Sequence, residues 1–130
     1  MKTFVYTILI AFLMVPTMLT AQEPSLEKVA LAIKTGNSAA LAKHFDSKIE
    51  ITIMNKEQVY SKAQAEMVVK NFFAKNAPQS FKIIHKGSSE AGSKYGIGTL
   101  VTRSGSYRVY LYVKQKDGGF KLQQLRFEND

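Results

Sequence analysis

Apolar positions along this chain recur first at helical spacing and later at a spacing of two, and the change of period divides the sequence into elements. Leu26, Val29, Ala30 and Ile33 form one stripe of a short helix, with Ser25 placed to cap it and Gly36 to stop it. Asn37 or Ser38 can cap a second short helix carrying Leu41, Ala42 and Phe45 on one side. From 47 to 55 the period falls to two. Ile49, Ile51 and Ile53 share one face while Glu50, Thr52 and Met54 share the other, as in a strand buried on one side. Residues 55–58 read as a polar turn.

The longest helical pattern follows. Ser61-Lys62-Ala63-Gln64 is a capping box, in which the serine hydroxyl takes one orphan amide and Gln64 reaches back to another. Ala65, Val68, Val69, Phe72 and Phe73 then form one broad apolar face, and Asn76 and Pro78 end the helix. The two phenylalanines are expected at the centre of a core.

Everything afterwards alternates. Phe81, Ile83 and His85 oppose Lys82, Ile84 and Lys86, and residues 87–93 form a loop. Tyr95, Ile97, Thr99 and Val101 oppose Gly96, Gly98 and Leu100. Ser104-Gly105 signals a hairpin, after which Tyr107, Val109, Leu111 and Val113 oppose Arg108, Tyr110, Tyr112 and Lys114. Asp117-Gly118-Gly119 is a second tight turn. In the last strand Phe120 and Leu122 change phase to Leu125 and Phe127 across Gln123-Gln124, which predicts a β-bulge. Ile49, Ile51, Ile53, Ile97, Val109, Leu111 and Val113 are expected to face the helices.

The order is therefore α-α-β-α-β-β-β-β. The fold class is α+β: three N-terminal helices packed on a strongly curved, mainly antiparallel sheet. Gly96 and Gly98, expected opposite a bulged last strand, suit strong bending. No repeat or linker divides the chain. Residues 1–21 stand apart. A basic start at Lys2, an apolar run from Phe4 to Val15 and a small residue at Ala21 form the pattern of a secretory signal. The expected division is a signal peptide, 1–21, and a single domain, 22–130, exported to the periplasm or the extracellular space. The apolar run falls short of a membrane span, so no stable membrane insertion is expected after its removal.

Composition narrows the function classes. The chain has no cysteine, which excludes disulfides, thiolate metal sites and an acylated-cysteine anchor. Its formal net charge is +8, but the lysines are scattered singly, which argues for a solvated basic surface and against nucleic acid as a partner.

The pattern looks like the nuclear transport factor 2-like (cystatin-like) cone. More narrowly the chain resembles domain of unknown function 4783, a family of exported bacterial proteins. The resemblance is carried by Lys34-Thr35-Gly36-Asn37, Leu41-Ala42-Lys43-His44-Phe45, Tyr60-Ser61-Lys62-Ala63-Gln64-Ala65, Asn71-Phe72-Phe73, Phe81-Lys82-Ile83-Ile84-His85-Lys86-Gly87 and Tyr107-Arg108-Val109. It spans essentially the chain after residue 21. It implies a fold and a bacterial envelope setting, and no activity.

Enzymes of the wider cone superfamily work inside the mouth with a buried Asp or His and a Tyr or protonated acid. Here no acid is expected on an inward face; Glu50 falls opposite, and Asp46 sits at a junction where capping or turning is its ordinary role. His85 is the candidate catalytic residue, a general base or ligand contact, with Tyr95 nearby. It is read as sharing a face with Phe81 and Ile83, and the plain alternative is a histidine bonded at a sheet margin. His44 ends the second helix, where it interacts favourably with the helix dipole. With two histidines in separate elements no metal site is expected, and no cofactor. Tyr110 and Tyr112 share a face with Arg108 and Lys114, a surface that can bind a protein, a glycan or an anion, or pack on a second copy. Ligand or partner binding is assigned to His85, Tyr95, Arg108, Tyr110 and Tyr112. The leading expectation is a non-catalytic binding or interaction domain for a small ligand or an envelope protein. The alternatives are a small isomerase- or hydrolase-type enzyme using His85 with a tyrosine, and a structural homodimer.

Overall fold

Helix α1 (Pro24–Lys34) and helix α2 (Ser38–Ala42) open a computed structural model that describes residues 24–89 and 91–130. The proposed signal segment, 1–21, lies outside the described residues. Gly36, at φ +64°, turns the chain between the two helices. The Asn37 side chain then caps α2 by accepting from the Ala40 amide at 3.0 Å.

Strand β1 (Phe45–Ile53) follows, and residues 54 and 55 turn it directly into an additional edge strand, β2 (Lys56–Ser61). Met54 and Asn55 both have positive φ, 48° and 76°, the signature of a two-residue hairpin turn of the I′ kind. The polar stretch expected to be a turn is thus mostly strand. Helix α3 (Lys62–Lys75) carries the expected capping box, with Ser61 and Gln64 exchanging amide-to-side-chain bonds of 3.3 Å.

Strands β3 (Pro78–Ser88), β4 (Lys94–Thr102), β5 (Gly105–Lys116) and β6 (Gly119–Asn129) form a meander. The sheet order is β2-β1-β6-β5-β4-β3, with β6 parallel to β1 and every other pair antiparallel. Gln123 bulges out of β6, because Tyr112 pairs with Gln124 and Val113 with Leu122. This is the change of phase expected at Gln123-Gln124.

All three helices lie on one face of the curved sheet. The space between is filled by Ile49, Ile51, Val109, Leu111, Leu125 and Phe127 from the strands and by Val29, Ile33, Val69, Phe72 and Phe73 from the helices. Phe72 stacks on Phe127, centroids 4.2 Å apart, and meets Phe73 and Tyr107 edge-on. Tyr107 also donates to Asn76 Oδ1 at 2.7 Å, tying β5 to the C-cap of α3.

Two inward assignments need correction. Ile97 faces away from the helices; on β4 it is Gly96, Gly98 and Leu100 that face inward. A Cβ on Gly98 would lie 2.6 Å from the Lys82 carbonyl oxygen and 2.7 Å from the Phe81 ring, while Gly96 leaves room for Ile83 and Leu26. The glycines are the inner face, which lets Phe81 and α1 approach the sheet.

The second correction concerns His85. Ile83 pairs with Gly98 and His85 with Ile97, so Ile84 is an extra residue, a second bulge. A one-residue insertion reverses the face of everything beyond it. His85 therefore lies on the outer face and does not share the inner one with Phe81 and Ile83.

Phe72→Ala is expected to cost about 3–5 kcal/mol, read as a large fall in the urea midpoint. An unchanged midpoint would remove Phe72 from the core. Gly98→Ala should destabilise by about 1–3 kcal/mol through overpacking, whereas Gly119→Ala, which meets nothing within 4 Å, should leave the melting temperature nearly unchanged.

Candidate functional site

The outer face of the sheet can be read off in rows, because directly paired residues share a side. One row runs Tyr95, Tyr112, Gln124, Glu50, Val59 from β4 to β2. The next runs His85, Ile97, Tyr110, Arg126, Thr52, Glu57 across all six strands. A third runs Lys82, Thr99, Arg108, Glu128. The five residues assigned to binding from the sequence, His85, Tyr95, Arg108, Tyr110 and Tyr112, all fall on this face. Arg126, Gln124 and the Glu50–Glu57 pair join them; only the pairing register, absent from the one-dimensional pattern, reveals that.

At the centre is a shallow depression of about 270 Å³ lined by Tyr95, Ile97, Tyr110, Tyr112, Gln124 and Arg126. The Tyr95 ring lies across Gly87, where an added Cβ would come within 2.2–2.3 Å of ring atoms and the hydroxyl. Tyr95 remains 46% exposed. Tyr112 donates to Ser93 Oγ at 2.9 Å, which fixes its ring. The Arg126 guanidinium sits 5.6 Å from the Tyr110 centroid and also bonds Glu128 at 2.6 Å. Arg108 bonds Asp130 at 3.0 Å. These exposed ion pairs contribute little to stability.

Unmet polar demand gathers on the same face. Among the described residues the buried side-chain atoms without a hydrogen-bond partner are Thr52 Oγ1 and Arg108 Nε. Beside Thr52, a hydrogen bond with Glu57, then burial and the Glu57 charge, hold the Glu50 carboxyl above its ordinary pKa, with Arg126 opposing.

The remaining candidates resolve into structural roles. His85 is exposed and, among the described residues, makes no hydrogen bond or ion pair, so the acid or tyrosine partner a general base requires is not in place. Burial works against ionisation of Asp46. The Ser47 amide at 2.8 Å, Lys116 at 3.2 Å and Gln123 Nε2 at 2.6 Å outweigh it and hold the carboxyl below its usual value. Asp46 thereby pins the β6 bulge to the start of β1. At His44, burial, followed by the charges of Lys28, Lys121, Lys43 and Lys62, lowers the pKa. The helix-dipole benefit expected there is outweighed.

The buried polar residues among those described are Thr52, Ser93 and Thr102, none of them titratable. At the open end of the cone a cleft of about 530 Å³ is bordered by Leu26, Phe120, Lys86, Lys94 and Gln115, with Lys94 lying 5.3 Å from the Phe120 centroid. No three His, Asp or Glu side chains among the described residues converge on a metal position. No helix among them is long and apolar enough to cross a membrane.

The family model for domain of unknown function DUF4783 matches residues 26–128, from α1 to β6 of the fold just described. The chain belongs to the DUF4783 family. A DUF4783 protein of Bacteroides uniformis is similar at 31% identity and TM-score 0.77, over 80% of this chain and 95% of that one. One of Bacteroides ovatus is similar at 28% identity and TM-score 0.76, over 79% and 93%. A designed nuclear transport factor 2-type chain with a long sheet shares the fold alone, at 14% identity and TM-score 0.62, over 79% and 95%. No curated protein matches. DUF4783 membership brings the cone fold and no activity.

The His44 shift has a definite sign. The unfolded chain takes up a proton near pH 6.5 while the folded one resists, so the stability associated with neutral His44 is present above that pH and is lost as pH falls below it. The urea midpoint is expected to drop between pH 7.5 and pH 5.5, and His44→Gln to flatten that drop. An equal drop in both proteins would assign it elsewhere.

Proposed function

We propose that this DUF4783 chain is an exported, non-catalytic interaction domain that presents the outer face of its sheet to a partner. The carrying observation is the contrast between the two faces. The inner face is filled by apolar side chains, whereas the outer one collects Tyr95, Tyr110, Tyr112 and Arg126 around a shallow depression. Amphipathic tyrosines and an arginine are the residue types that supply contact area and directed hydrogen bonds at interfaces. A base such as His85, standing exposed without a partner, has no constellation around it to activate a substrate. Export rests on the leader pattern of residues 1–21.

A photo-crosslinking residue placed at Tyr95 should yield covalent adducts in the native envelope, and one at exposed Leu31 on α1 should not. Adducts of equal yield from both positions, or from neither, would overturn the reading. N-terminal sequencing should find the recovered protein starting at or near Gln22; an intact Met1 would refute export by a cleaved signal.

A further inference from the structure

The Tyr95 ring runs along the sheet instead of projecting from it. Its far end (Cε1, Cζ and the hydroxyl) occupies the place where a side chain on Gly87 of β3 would begin. One face of the ring is thereby seated on backbone, while 46% of the residue stays open to solvent. We infer that the partner of the outer face is a neutral polysaccharide, laid across the tyrosines with the Tyr95 ring as its stacking platform. The inference rests on the proposed role of that face and names the chemistry of what it meets.

The surface suits a sugar in its stacking, its spacing and its polar rim. The negative face of an aromatic ring attracts positively polarised C–H groups, and such groups line the flat sides of a pyranose. Tyr112 pairs with Tyr95 and stands two residues from Tyr110, so the tyrosines follow one another at about 5–7 Å along the backbone. That is the scale of successive units in an extended glycan. Gln124 and Arg126 border the same depression. They supply an amide that both donates and accepts and a guanidinium that donates, for hydroxyls that do both. The depression holds about 270 Å³, short of the roughly 300–1,000 Å³ of pockets that enclose a small ligand. It fits a chain that lies on the surface and continues past it.

The platform is also set before anything binds. Tyr112 is held by its bond to Ser93, Tyr110 by the Arg126 guanidinium, and Tyr95 by its seat on Gly87. Little side-chain ordering is left to oppose association.

Charge selects an uncharged occupant. The three rows carry the acids Glu50, Glu57 and Glu128 and the bases Lys82, Arg108 and Arg126. Most of these groups already meet a partner within the chain. Arg126 bonds Glu128, Arg108 bonds Asp130, and Glu50 shares a hydrogen bond with Glu57. A nucleic-acid strand also stacks on tyrosines, but its phosphates would come up against the three acids. A protein partner would anchor in desolvated apolar pockets, and this depression is shallow and rimmed by hydrogen-bonding groups.

The chain has six tyrosines and no tryptophan, so tyrosine emission reports events at these rings directly. The recovered protein would be titrated with soluble glucan, mannan, galactan, xylan and N-acetylglucosamine oligomers. At least one should give a saturable change in emission. Its affinity should vary by less than about twofold between low and high salt, as for an uncharged ligand. Tyr95→Leu and Gln124→Ala should each weaken it by about tenfold, and Leu31→Ala on α1 should not change it. Urea midpoints check the fold of each variant; should Tyr95→Leu lower its own, the exposed Gln124 decides alone. Failure of every neutral glycan to bind overturns the inference. So does binding confined to heparin with a steep loss in salt, or an equal effect of Leu31→Ala and Gln124→Ala. If no glycan binds while the crosslinker at Tyr95 captures a protein, the polysaccharide is excluded and the outer-face reading survives. If the crosslinker captures nothing as well, both readings fall.

Discussion

The stack of Phe72 on Phe127 joins the longest helix to the last strand, and most of the fold hangs on it. Phe127 lies on β6, which pairs in parallel with β1 and antiparallel with β5, so the C-terminal strand sits in the middle of the sheet. Until β6 is in place β1 and β2 have no connection to the other strands, and Phe72 and Phe73 have no common ring to pack against. Non-local closure of this kind is the slow step in sheet proteins. Asp46 works at the opposite end of the same seam, holding Gln123 at the bulge and Lys116 on β5. The aromatic stack and the Asp46 cluster thus fix both ends of the β1–β6 junction.

That seam explains why the two sheet faces differ. Filling the inner face with Val, Leu, Ile and Phe from β1, β5 and β6 leaves the alternate positions of the same strands pointing outward. A solvated sheet face needs only short polar residues there. Here the outward positions hold Tyr110, Tyr112, Arg126 and Glu50, and Tyr95 is accommodated only because residue 87 is glycine. Bulky amphipathic side chains ordered by one another are a costly way to face water, since each gives up rotamer freedom. They are economical when a second surface covers them.

The local elements were legible in the sequence because each has a local cause. The Ser61–Gln64 box, the Gly36 turn and the phase change across Gln123-Gln124 are all set by residues within one turn or one pair of positions. Features that depend on neighbouring strands were not legible. At β4 the larger side chains Tyr95, Ile97 and Thr99 look like the core set, yet the small ones face inward because Phe81 and α1 need the space. Ile83-Ile84 conceals its bulge, since two consecutive isoleucines suit either phase. Residues 55–58 read as a polar turn because both faces of an edge strand can be wet. At His44 the opposing lysines come from α1, α3 and β6 as well as from its own neighbour, and only folding collects them.

The Ile84 bulge shows how little separates the two functional readings of this chain. Without it, His85 would point under the helices beside Phe81, where burial would disfavour the charged imidazolium and a buried base could be argued. With it, His85 joins Ile97, Tyr110, Arg126, Thr52 and Glu57 in a single row across the sheet. One inserted residue therefore moves the imidazole from a place suited to chemistry to a place suited to recognition. It also completes a row of the outer face that runs from one sheet edge to the other, from His85 on β3 to Glu57 on β2.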